Sequence, residues 1–103
     1  MEIFKGDFLK FNFGVKYKNG TSLEFKKGDL IIVLIKHKFF DYVPIEKIFE
    51  VLNDSTSKEI YISSDEMKYC MHGLNKLEIK LKRGSSVKTM LQNDLYVKES
   101  ELI

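Results

Sequence analysis

With 103 residues, 44% of them hydrophobic and 13% aromatic, the chain is long enough for one domain around one small core and too evenly apolar for disorder. Its formal net charge is +2, and residues 1–50 carry 9 basic against 7 acidic side chains, residues 51–103 8 against 8. Neither half has the basic surplus of a nucleic-acid-binding segment, and no apolar run nears the ~18 residues of a membrane-spanning helix.

The first alternating run is "DFLKFNFG", with Phe8, Leu9, Phe11 and Phe13 before a break at Gly14, and it reads as a strand. "YKNGTSLEF" follows, in which Asn19-Gly20 is a two-residue turn signal whose central positions both call for positive φ. Leu23 and Phe25 alternate, Lys26-Lys27-Gly28 makes a turn, and "DLIIVLI" is a continuous apolar strand expected to be buried on both faces or covered at its edge. "FKGD" near the N-terminus and "FKKGD" at Phe25 read as one turn solution used twice.

"KHKFFDYVPIE" reads as an aromatic loop, since Pro44 argues against a regular central strand. "EKIFEVLND" is the next strand, "NDSTSK" a polar hairpin tip, and "KEIYIS" its expected return partner. In "SSDEMKYC" Ser63 and Glu66 have the spacing of a capping box, so a short helix is expected over residues 64–71. "LNKLEIKLKRG" alternates Leu77, Ile79 and Leu81 with Lys76, Glu78, Lys80 and Lys82, and Gly84-Ser85-Ser86 makes a turn. The last segment, "SVKTMLQNDLYVKESELI", reads as a final strand with a short helix as the alternative.

Short strands with frequent turns predict a mainly β fold, a small five-stranded barrel with one helix and a C-terminal β extension. "LEFKKGDLIIVL" resembles the diverging turn and second strand of the Src-homology-3 (SH3) family, and "EIYISSDEMKY" resembles its fourth strand and following helical turn. The resemblance extends to SH3-like barrels in general, including KOW and Tudor-type domains. It implies a barrel core over about residues 6–72, an extension over 73–103, and one domain for the whole chain. Phe11 and Phe13 stand where the family's first groove aromatics do, Tyr69 stands near its last tyrosine, and Phe39-Phe40 replace its paired tryptophans. The chain has no Trp, and Ser63-Ser64 occupy the place of the family's groove proline, so proline-rich ligand binding is not expected.

Little here suggests chemistry. Cys70, His72 and His37 are the soft ligands, fewer than the four of a closed zinc site, so no metal or other cofactor is expected. Asp65 and Glu66 are accounted for by capping, and "KRGSS" lacks the ending of a phosphate loop, so the chain is not read as an enzyme. One cysteine, no basic-then-apolar leader and no span lead to the expectation of a cytoplasmic protein. The absence of Ala and the dominance of Lys over Arg suit an AT-rich genome such as a phage's, in which case the host cytoplasm is meant.

Two surfaces remain. Phe39, Phe40 and Tyr42, joined by Phe13 and Tyr69, form the candidate partner-binding set, because aromatic side chains anchor protein interfaces. Lys76, Lys80, Lys82, Arg83 and Lys88 form the alternative, a basic stripe able to follow phosphates. The stripe also fits edge-strand lysines that deter sheet-to-sheet pairing. A non-enzymatic protein-interaction module is the leading expectation, an accessory protein that binds and modulates a larger partner. A nucleic-acid-binding barrel is the alternative, no membrane partner is expected, and oligomeric state is left open.

Overall fold

The computed structural model describes residues 1–99. It is mainly β, with strands β1 (Glu2–Phe4), β2 (Leu9–Phe13), β3 (Leu30–His37), β4 (Ile45–Glu50), β5 (Lys58–Ile62), β6 (Gly73–Arg83) and β7 (Ser86–Lys98), and one helix, α1 (Ser64–Met67). Five strands form a curled mixed sheet, a half-barrel in the order β1-β7-β6-β3-β4, while β2 and β5 pair separately. β1 joins β7 in parallel, and the other ladders are antiparallel.

The core lies between the sheet's concave face and the β2–β5 ribbon. Ile31, Val33 and Ile35 of β3 and Leu77, Ile79 and Leu81 of β6 meet Leu9, Phe13, Ile60 and Ile62 of the ribbon. Phe25 closes one end with its ring stacked 5.9 Å from that of Phe13. Alternation explains each contribution, since every second residue of a strand points the same way. In β2 the inward set is Leu9, half-buried Phe11 and Phe13, and Phe8, just ahead of the strand, is exposed.

The two "KGD" turns share one geometry. Asp7 N–H donates to Phe4 O at 3.1 Å and Asp29 N–H to Lys26 O at 2.9 Å, and the third residue of each turn is a glycine, at φ +86° and +93°. Positive φ at that position is what a type II turn demands. Asp29 then closes its own turn, its carboxylate accepting Lys26 N–H at 2.8 Å.

Asn19-Gly20 makes a different turn from the two-residue one expected. Gly20 N–H donates to Tyr17 O at 2.9 Å and Tyr17 N–H to Thr21 O at 2.8 Å, and Gly20 alone has positive φ, +89°. This is a three-residue hairpin loop with glycine in the bulge position. The Asn19 side chain accepts Thr21 N–H at 3.0 Å, which holds it at negative φ.

The expected hairpin between β4 and β5 is corrected. β4 pairs with β3, and β5 pairs with β2 through Leu9↔Ile62 to Phe13↔Lys58. Val51 N–H donates to Asp29 O and Phe25 exchanges backbone bonds with Ser55, so the chain crosses between the layers along residues 51–57. α1 carries the capping box, with Glu66 N–H donating to Ser63 Oγ at 3.2 Å and Ser63 N–H to Glu66 Oε1 at 3.1 Å. It ends at Met67, sooner than the expected residue 71, and the next bonds, Tyr69 to Glu66 and Cys70 to Met67, have the tighter three-residue span. The C-terminal β element is present as β6 and β7, and β6 pairs with β3 at every position from Leu30↔Lys82 to His37↔Asn75.

Candidate recognition surface

Residues 38–44 connect β3 to β4, and local bonds hold them in shape. His37 N–H donates to Tyr42 O at 2.9 Å, Lys38 N–H to Leu74 O at 2.9 Å and Tyr42 N–H to Phe40 O at 2.8 Å. The buried His37 ring is the floor of the loop. Its Nδ1 accepts Phe39 N–H at 3.2 Å and its Nε2 lies 3.4 Å from His72 O, an arrangement that fits the imidazole with its proton on Nε2. The ring stands 4.8 Å from that of Phe40 and 6.3 Å from that of Phe39.

The aromatic side chains point outward from that floor. Phe39 is 74% exposed, Phe40 59% and Tyr69 59%, and Tyr42 and Val43 are exposed beside them. Tyr42 Oη donates to Tyr69 O at 3.1 Å, which ties the loop to the residues after α1. Lys68 Nζ lies 5.4 Å from the Tyr69 ring centroid, within cation–π range. Next to Tyr69 an open groove of about 420 Å³ runs between Pro44–Glu46 and the α1 region, lined by Asp65, Glu66, Lys68 and Tyr69. Lys47 Nζ bonds Glu66 Oε1 at 2.9 Å. That bond, helped by Ser63 N–H, holds the Glu66 carboxyl below its ordinary range.

Phe39, Phe40, Tyr42 and Tyr69 are thus brought together at one end of the sheet. Phe13 is not with them. It is 5% exposed and stacked on Phe25, because the parity of β2 turns it inward, so it leaves the candidate set.

The basic set is split three ways. Lys76, Lys80 and Lys82 share the convex face of β6 with Glu78, which is buried and has Lys36 Nζ at 3.4 Å. The edge-strand reading of these lysines is corrected, since β6 lies inside the sheet between β3 and β7. Arg83 turns the other way and grips Asp29, Nη2 to Oδ2 at 2.7 Å and Nε to Oδ1 at 3.0 Å, while Nη2 also donates to Glu24 O at 3.0 Å. The guanidinium and Lys26 N–H hold the buried Asp29 carboxyl below its usual range. Lys88 pairs with Leu81 after a bulge at Ile79/Lys80, and residues opposite each other share a face. It therefore sits on Leu81's side, away from the three lysines.

Burial pushes the Cys70 thiol up to about 11, which leaves it protonated and a poor nucleophile near neutral pH. His72 is exposed, 3.4 Å from a Glu99 carboxylate oxygen. Among the described residues no three His, Cys, Asp or Glu side chains converge as metal ligands would, and no helix is long and apolar enough to cross a membrane.

Sequence reasoning missed His37 as the loop's anchor, because its partners come from residues 72 and 39 and no local spacing marks them. The Arg83–Asp29 clamp was equally hidden, although Arg83 is the chain's single arginine. No family model, curated protein or solved structure matches the chain.

Proposed function

We propose that this protein is a small non-enzymatic module that recognises a protein partner through Phe39, Phe40, Tyr42 and Tyr69. The observation that supports this reading most is that adjacent phenylalanines stay in solvent on a loop pinned by backbone bonds and the His37 ring. A loop whose backbone is already held in place loses little conformational freedom on binding, which makes the aromatic side chains it carries effective anchors. The half-barrel sheet is compatible with an SH3-like barrel. In that reading the groove beside Tyr69 continues the surface. The AT-rich bias suits an accessory protein, of a phage or otherwise, acting in the host cytoplasm and modulating a larger partner.

The test is affinity capture from the host lysate with the wild-type chain, Phe39→Ala/Phe40→Ala and Lys80→Glu/Lys82→Glu, followed by mass spectrometry and direct titration of the captured protein. A protein bound by the wild type and the lysine variant, and at least about tenfold more weakly by the phenylalanine variant, supports the reading. The second reading, nucleic-acid binding, draws on Lys76, Lys80 and Lys82 sharing one face. Salt-sensitive capture of RNA or DNA, lost in the lysine variant and kept in the phenylalanine variant, replaces the first reading with it.

A further inference from the structure

We propose that the convex face of the β4-β3-β6 sheet is the interface of a two-fold symmetric dimer of this chain. A strand with one face in water ordinarily alternates apolar and polar residues. β3 does not. Ile31, Val33 and Ile35 fill the core, while Leu30 and Ile32, both half-buried, and Leu34, buried at 8% exposure, occupy the opposite face outside the core cluster. Ile48 of β4 lies directly opposite Ile32 and is 55% exposed, so the apolar strip widens towards the sheet edge.

Charge flanks this strip asymmetrically. On the β4 side Glu46 and Glu50 stand opposite Leu34 and Leu30. On the β6 side Lys80 and Lys82 stand opposite Ile32 and Leu30. None of these four has an ion-pair partner among the described residues, whereas neighbouring Glu78 has Lys36 at 3.4 Å. Apart from the Lys36–Glu78 pair, the face therefore reads acidic, apolar, basic across three strands.

Such a face complements itself. A two-fold axis parallel to β3 lays β4 of one copy over β6 of the other, so Glu50 meets Lys82 twice, Lys80 lies between Glu46 and Glu50, and Glu46 faces Glu78, whose charge Lys36 already offsets. Leu30 and Ile32, the accessible part of the strip, meet their own counterparts along the axis. An apolar centre with a charged rim is the anatomy of protein interfaces, and a two-fold contact needs only one surface patch. Three strands at ~4.8 Å spacing and six residues at ~3.3 Å each give a patch of roughly 14 by 20 Å. That is small for a permanent interface, so the dimer is a reversible one.

Sedimentation velocity over a wide concentration range tests this with three proteins: wild type, Glu46→Lys/Glu50→Lys and Lys80→Glu/Lys82→Glu. The wild type should dimerise as concentration rises. Each variant alone should associate at least about tenfold more weakly, because like charges then face each other. An equimolar mixture of the two variants should dimerise again, since one copy now supplies lysines on both sides and the other glutamates. Circular dichroism matching the wild type keeps misfolding apart from lost association. A wild type that stays monomeric, a dimer indifferent to both variants, or variants that fail to complement overturns the proposal. A monomer whose Lys80 and Lys82 bind an oligonucleotide overturns it in favour of nucleic acid.

Discussion

Asp29 shows how one side chain can hold two distant pieces of chain. Its carboxylate accepts the amide of Lys26 within its own turn and the fork of Arg83 from the far end of β6. Lysine cannot reproduce that fork, because its ammonium is a point charge without paired planar donors. Arg83→Lys should therefore lower the melting temperature, and Asp29→Ala should cost about 2 kcal/mol by removing the acceptor of both the Lys26 amide and the Arg83 guanidinium. The pH dependence has a definite sign. Asp29 has a folded pKa below its unfolded value, owing first to the Arg83 bond, so its contribution is complete above the unfolded value near ~4. It is lost as pH falls through the folded value. Glu66 acts in the same direction through Lys47 and Ser63. Urea unfolding at a series of pH values should give a wild-type stability that drops on acidification below ~4, with a shallower drop for Asp29→Asn.

At the scale of elements, the short helix depends on its cap. Four residues cannot sustain a helix by propensity, so α1 rests on the reciprocal Ser63–Glu66 bonds and on burial of Met67. Ser63→Ala should cost about 1 kcal/mol, read as a lower urea midpoint with an unchanged slope. Helix, turns and most strands were legible in the sequence because each depends on neighbours: the capping-box spacing, glycine at the third turn position, the alternation of Leu77, Ile79 and Leu81. Pairing was not. Ile60 and Ile62 offer the same apolar face to β4 or to β2, and the pairing with β2 joins Leu9 and Phe13 to them in one core, with Phe13 stacked on Phe25. Lysines alternating along β6 likewise look the same on an edge strand and on an interior strand whose outer face meets water.

For the whole molecule, a sheet this small divides its faces among separate tasks. The concave side is core, the convex side carries the acidic-apolar-basic pattern, and the end near β3–β4 carries exposed aromatic side chains. That Phe39 and Phe40 do not both fill the core was legible, since neighbouring residues of an extended chain cannot both point inward, but whether the C-terminal segment covers them was not. The histidine beneath them was not, because it works through the tertiary position of residue 72. Thermal unfolding of Phe39→Ala/Phe40→Ala beside Phe25→Ala is the measurement that bears most directly on whether these rings are free to bind. A fully buried Phe truncated to Ala costs ~3–5 kcal/mol, an exposed one a few tenths, and 1 kcal/mol moves a domain of this size by ~4–8 °C. The loop double variant should melt within about 5 °C of the wild type while Phe25→Ala falls by 12 °C or more, roughly three times the smallest shift per kcal/mol. A double variant that falls as far as Phe25→Ala would place Phe39 and Phe40 in the core and contradict a recognition surface built on them.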